Sequence, residues 1–370
     1  MPTATLSAPR VETTTGIAGL TATQIDQIGV ELDAIREREM ADRGDVDAHY
    51  IRRMVKLQRS LEVGGRGMLY LGFLPPFWVA GVAALATSKI LDNMEIGHNV
   101  MHGQYDWMND PALSSKDFEW DTASPAEQWR HSHNYLHHTW TNVLGMDRDI
   151  GYGILRMDES QRWHPIHLMN PVNAFLLAVF FQWGVALHDL EVENLRTGRK
   201  QWSDVADLAK VIRRKGRRQV LKDYVLFPVL AGPMFVSVLL GNAAANLIRN
   251  LWSFTIIFCG HFPDGVQTFS KQDIEGETRG GWYVRQMLGS ANITGGKVFH
   301  VMSGNLSHQI EHHLFPDLPA RRYASLSPEV QAICERNGLP YTTGRLSRQF
   351  ATVIRRIVAL GLPPKAAKVT

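Results

Sequence analysis

Nine of the 15 histidines fall into three short clusters and one singlet. The clusters are His98-Asn-Val-Met-His102, His133-Asn-Tyr-Leu-His137-His138 and His308-Gln-Ile-Glu-His312-His313, and His261 closes an apolar run. Neutral imidazole is the commonest metal ligand, and residues four apart in a helix share a face. Each cluster can therefore aim two or three rings at one point; nine rings are too many for one ion and suit two. Two clusters share the spacing His-x-x-x-His-His and the third has its His-x-x-x-His core, a repetition that chance does not explain. A metal enzyme is the leading reading. Zinc fits less well, since structural zinc takes four ligands, often with Cys, and catalytic zinc usually three. Iron tolerates imidazole, keeps open positions and does oxygen chemistry. The two cysteines, Cys259 and Cys334, form no Cys-x-x-Cys motif, which disfavours iron–sulfur clusters and thiolate zinc as well as a disulfide framework. His49, His164, His167, His188 and His300 stand alone and read as ordinary core or surface residues, and His131 is offset from the face of its cluster.

The elements that must position these rings alternate between apolar and polar belts. At 370 residues the chain could hold one large domain or two. Mean hydropathy is only −0.16, but the apolar residues are concentrated. The net charge of +3 gives no argument for nucleic acid. Residues 1–20 lack the apolar core of a signal peptide and read as disordered. Residues 21–61 are charged with helical apolar spacing (Ile25, Ile28, Leu32, Ile35) and read as surface helices. Residues 62–102 read as a membrane hairpin, broken at Pro75-Pro76 and ending in the first His cluster. Residues 103–223 read as a cytosolic cap holding the second cluster and an apolar helix at 172–187. Residues 224–262 read as a transmembrane hairpin turning near Gly241-Asn242, 263–350 as cap with the third cluster, and 351–370 as a tail.

Basic residues set the orientation. Segment 190–223 carries ten Lys/Arg against five acids, and such loops stay cytoplasmic. Two crossings later, His261 returns to the same side. If 172–187 also crossed, the second and third clusters would lie on opposite faces, so this helix is expected to lie at or dip into the interface. Residues 62–97 must then form a hairpin with roughly 16 residues per arm, fewer than the ~20 that a full span needs. Asn246, Arg249 and Asn250 lie inside the apolar run and should face a protein interior or pathway.

The segments DNMEIGHNVMHGQYDWMNDP, HNYLHH, FCGHFPDG, WYVRQMLGSAN and HQIEHHLFPDLP resemble the histidine boxes and flanks of the membrane fatty-acid desaturases, and within them the actinobacterial stearoyl-CoA Δ9-desaturases. The likeness runs from about residue 30 to 345. It implies an all-helical integral membrane protein with four transmembrane helices and a cytosolic cap, in which two irons sit above a buried acyl tunnel. It implies O2-dependent insertion of a cis double bond into a long acyl chain such as stearoyl- or palmitoyl-CoA. The ligands it implies are His98, His102, His133, His137, His138, His261, His308, His312 and His313. Many relatives carry His-x-x-His-His, which would need histidine at positions 134 and 309, where Asn134 and Gln309 stand here. Front-end desaturases place glutamine where Gln309 lies, which makes Gln309 an alternative to His308 as a ligand or supporting group; His308 is preferred because its spacing repeats that of the second box.

Metal-bound imidazoles usually hand their second nitrogen to a carboxylate or carbonyl, and Glu95, Asp147, Asp149 and Glu311 are the nearby acids. Trp107, Trp120, Trp129, Trp140, Trp183, Trp252 and Trp282 are candidates to line a tunnel, or to serve as interface anchors or core. The basic run 213–218 reads first as a face toward anionic lipid. No Gly-x-Gly-x-x-Gly, cysteine set or fused haem motif is present, so electrons are expected from a separate NAD(P)H-dependent reductase acting through a ferredoxin-type centre. A diiron membrane hydroxylase, an acyl-lipid desaturase of the front-end type and a membrane metal transporter are the competing readings.

Overall fold

Helix-breaking residues and apolar periodicity lay out two long hairpins in the computed structural model, which describes residues 17–196 and 198–364. The first pairs the Asp45–Tyr70 helix with Pro75–Ile90. Pro75 and Pro76 occupy its first turn, where a missing N–H costs nothing. That second arm continues without a break through a π-helical stretch, Leu91–His98, into Asn99–Met101. Gly65 and Gly81 let the arms touch: a Cβ on Gly65 would lie 2.9 Å from the Leu85 backbone. Small residues at such a crossing allow close backbone approach.

The second hairpin runs up Trp202–Val220 and its continuation to Leu230, then down Phe235–His261. Its turn lies at 231–234, around Gly232-Pro233, and not at Gly241-Asn242. Gly-Pro is a turn dipeptide, whereas Gly241 packs on Leu69 and Asn242 donates to the Asp223 carbonyl from within the helix. The two hairpins are pinned together at one carboxylate. Asp223, fully buried, accepts from Lys89 Nζ at 2.8 Å, Arg66 Nη2 at 3.1 Å and Asn246 Nδ2 at 3.1 Å. Four helices thus meet at one anion. Both hairpin tips are apolar and exposed, with Phe73, Leu74 and Phe77 on one and Val229, Leu230 and Val236 on the other. His98 and His261 sit at the opposite ends.

By length and composition, Gly232–His261 is the one described helix apolar enough to cross a membrane. The 172–187 region forms two helices, Asn170–Val179 and Phe181–His188, within a pair bent by 104° that passes the same test only if counted as one span.

The cap is mostly helical; its described strands, Asn292–Thr294 and Thr343–Arg345, form a single parallel pair. The Ala22–Ala41 helix buries Ile25, Ile28, Leu32 and Ile35, the stripe its spacing marked, against Tyr283, Met287 and Phe315, and leaves its charged face exposed. Two sequence expectations need correction. Residues 346–361 are no tail: they form a helix that buries Val353 and Ile357. Of the stretch read as disordered, residues 1–16 lie outside the described residues, whereas Ile17–Gly19 forms a turn and Leu20 is buried.

Candidate metal centre

Each histidine cluster is carried on a helical turn, and the turn type decides which residues share a face. The second box lies on a π-helical stretch, Arg130–His137, running into His138–Trp140. A π turn closes i to i+5 where an α turn closes i to i+4. It therefore absorbs one extra residue, and His133, His137 and His138 present together what His-x-x-His-His presents on an α turn. The third box lies on an ordinary α turn, Gln309–Leu314. There the trio that shares a face is i, i+3, i+4, which is Gln309, His312 and His313. His308 precedes the helix as its cap. The matching His-x-x-x-His-His spacing of the two boxes therefore hides different geometries.

Four distant stretches bring the rings together. Ligand atoms of His98, His102, His133 and His312 lie within 4.8 Å of one another, as do those of His137, His261 and His313. His138 stands between the two poles, grouped with His312 and His313, its ring stacked on His313 at 4.4 Å. The Nε2 atoms of His98 and His133 are 3.2 Å apart, and those of His261 and His313 3.3 Å. His308 is not among them: its ring packs on His300 at 4.6 Å and its Nδ1 meets Ser327 Oγ at 3.0 Å. Gln309 takes the place expected for it, with its amide nitrogen 3.0 Å from His261 Nε2. The fit is close: a Cβ at 260 would meet the Gln309 side chain at 3.0 Å and push it from its place.

The outer nitrogens fix which ring atom faces inward. His137 Nδ1 meets the Asp147 carboxylate at 3.0 Å, His313 Nδ1 meets Gln286 Oε1 at 3.0 Å and His98 Nδ1 meets Asn99 Oδ1 at 3.2 Å. An acceptor at Nδ1 places the proton there and leaves Nε2 a lone pair. The Nε2 atoms of His102, His137, His138 and His312 are buried and lack any hydrogen-bond partner. Buried polar atoms are rarely left so. Burial, reinforced by the neighbouring rings, holds His138, His312 and His313 well below the usual imidazole range and therefore neutral, as metal binding requires. Burial would raise Asp149, but His133 and His188 beside it hold that carboxyl well below the usual range. Clustered, neutral, inward-aimed lone pairs without donors fit a pair of imidazole-bound metal ions.

Of the four acids singled out from sequence, Asp147 bonds a ring directly, and Asp149 lies 3.6 Å from His133 Nδ1, near but beyond a good bond. Glu95 and Glu311 touch no imidazole. Glu95 accepts from Tyr50 and Asn305, and Glu311 from Asn292 and Tyr341, so they anchor the backs of the box helices. Sequence reasoning missed Gln286, which has no spacing signal, and His188, which lies 3.7 Å from Asp149. Trp120 and Trp129 line the cavity beside the rings, Trp129 stacking on His133 at 4.4 Å. The other five tryptophans singled out from sequence are not among its walls. His131 is exposed and outside the groups.

Because Asp147 makes the hydrogen bond that orients His137, Asp147→Asn is expected to lower metal retention and turnover by about 10–100-fold. Metal analysis after dialysis, beside the wild type, checks this.

The chain matches the model of the fatty acid desaturase family over residues 75–345. It is 48% identical over 352 residues to the NADPH-dependent stearoyl-CoA 9-desaturase of Mycobacterium tuberculosis, covering 94% of this chain and 82% of that one. It is 25% identical to the sn-1 linoleoyl-lipid 6-desaturase of Synechocystis, over 74% of this chain and 77% of the relative. With human fatty acid desaturase 3 it shares 24% identity, over 82% and 66% of the two chains. The histidine-lined centre described above thus lies in a member of the fatty acid desaturase family.

Proposed function

We propose that the chain is an O2-dependent acyl desaturase that places a cis double bond, at Δ9, in stearoyl- or palmitoyl-CoA, using two irons held by His98, His102, His133, His137, His138, His261, His312 and His313, with Gln309 in the position that sequence spacing gave to His308. The observation that carries the reading is the gathering of eight histidines, among which the inward Nε2 atoms of His102, His137, His138 and His312 are buried without a hydrogen-bond partner among the described residues. When bound, the irons supply the oxygen activation that no side chain can. In the overall reaction two hydrogens leave the chain, two electrons and two protons arrive, and O2 ends as two waters.

The protein's part is positioning and exclusion. Asp147, Gln286 and Asn99 fix the ring orientations. A cavity opens on His98, His133, His137 and His261 and is walled by Met94, Phe181, Val185, Ile257 and Leu306. Those apolar walls favour a hydrocarbon and disfavour water at the reacting carbons. Misplacement of a methylene pair by about 1 Å is enough to cost activity heavily, so rigid walls serve regioselectivity.

The exposed apolar hairpin tips, opposite the histidines, support four membrane-embedded helices, with the bent 170–188 pair at the interface and the centre facing the cytoplasm on the side of the basic 190–223 segment. Electrons then come from a separate NAD(P)H-dependent reductase through a ferredoxin-type carrier. Expression in a desaturase-deficient host followed by fatty-acid profiling tests the reading. It predicts a product two mass units lighter than the substrate; a product sixteen units heavier would establish the hydroxylase instead, and metal uptake without oxygen consumption would establish transport.

A further inference from the structure

The membrane-side end of the cavity is charged. Along the Phe235–His261 helix the cavity is lined by His261, Ile257, Ser253, Asn250 and Arg249, and by nothing earlier in that helix. At 1.5 Å of rise per residue, Arg249 lies about 18 Å from His261, toward the apolar hairpin tips. Across the cavity, Asn93 is the first lining residue of the facing helix and accepts from Ser253 Oγ at 3.0 Å.

Arg249 is only 2% exposed. Its guanidinium donates to Asn250 Oδ1 at 3.0 Å and Asn246 Oδ1 at 3.4 Å, and no carboxylate pairs with it among the described residues; Asp121, Asp223 and Asp92 act from farther off. A guanidinium has five N–H donors, and these two bonds leave most of them uncommitted beside the cavity. A buried cation with a carboxylate partner would be structural; one with free donors, held upright by two amides at the end of an apolar cavity, has another consequence.

Resting on the desaturase reading, we propose that Arg249 is the chain-length ruler of this enzyme, an electrostatic stop at the methyl end of the acyl cavity. The histidines fix where the reacting carbons must lie. A head group bearing phosphates needs water, so the hydrocarbon end extends the other way, toward Arg249. Methylenes pushed to that level would strip hydration or hydrogen bonds from a guanidinium, which is costly in a low-dielectric site. The limit is thus set by charge as well as by volume, and Asn93, Asn250 and Ser253 extend the polar floor.

That distinction makes the test sharp, because Arg249→Met keeps length and apolar volume while removing the charge. Membranes containing the full-length enzyme, a reductase system and saturated acyl-CoAs of graded length would be assayed for alkene. The preference for a chain two methylenes beyond the wild-type optimum should rise about tenfold or more in Arg249→Met. Arg249→Lys should keep the wild-type profile, and Ser253→Leu, nearer the histidines, should shift it to shorter chains. A wild-type length profile in an active Arg249→Met enzyme would overturn the proposal; should that variant not fold, an unshifted Ser253→Leu profile would overturn it. A wild type that forms no alkene from any chain would instead overturn the desaturase reading, and the ruler with it.

Discussion

Replacing His312 with alanine is expected to reduce alkene formation by more than about 100-fold, beyond the range that loss of a supporting partner produces. His312 is one of the rings that join two groups, belonging both to the group with His98, His102 and His133 and to the group with His138 and His313. His308→Ala, by contrast, should stay within about twofold of wild type, since that ring packs on His300 and Ser327 away from both poles. The comparison is made by product analysis in membranes containing equal amounts of each protein. Equal loss in the two variants would contradict the argument that an α turn starts the third box at Gln309.

The second large effect concerns the scaffold. Asp223→Ala removes the one anion that Lys89, Arg66 and Asn246 share, leaving Arg66 only its half-buried partner Glu62 and Lys89 only Asp121 at 3.7 Å. Breaking a buried ion pair from one side costs about 3–5 kcal/mol, a large part of a typical domain's stability. Thermal or denaturant unfolding of the purified protein in detergent measures it. A change below about 1 kcal/mol, the usual range of an exposed pair, would show that water reaches the cluster and that the hairpins hold by packing alone.

The centre was legible in the sequence because imidazoles at helical spacing signal metal wherever they occur. Eight of the nine singled-out histidines do converge in space. The ninth failed for a physical reason: spacing predicts a shared face only for a known helical pitch, and nothing in HNYLHH announces a π turn. Gln286 and His188 were invisible because their roles depend on which chain segments the fold brings alongside, not on local pattern. The hairpins were legible from prolines and apolar runs, but the turn at 231–234 was misplaced. Gly241 looks like a breaker in sequence; in space its missing side chain is what admits Leu69. The C-terminal helix was missed since its buried face, Val353 and Ile357, is a sparse stripe among basic residues. Arg249 was singled out as needing a protein interior, and it has one, though its place at the end of a cavity could not be read from one helix.

Elemental analysis of the purified protein tests the central claim most directly. The account predicts two irons per chain in the wild type, the same content in His308→Ala, and a clear loss in His312→Ala. Stoichiometric zinc, a single iron, or undiminished iron after the loss of His312 would contradict it.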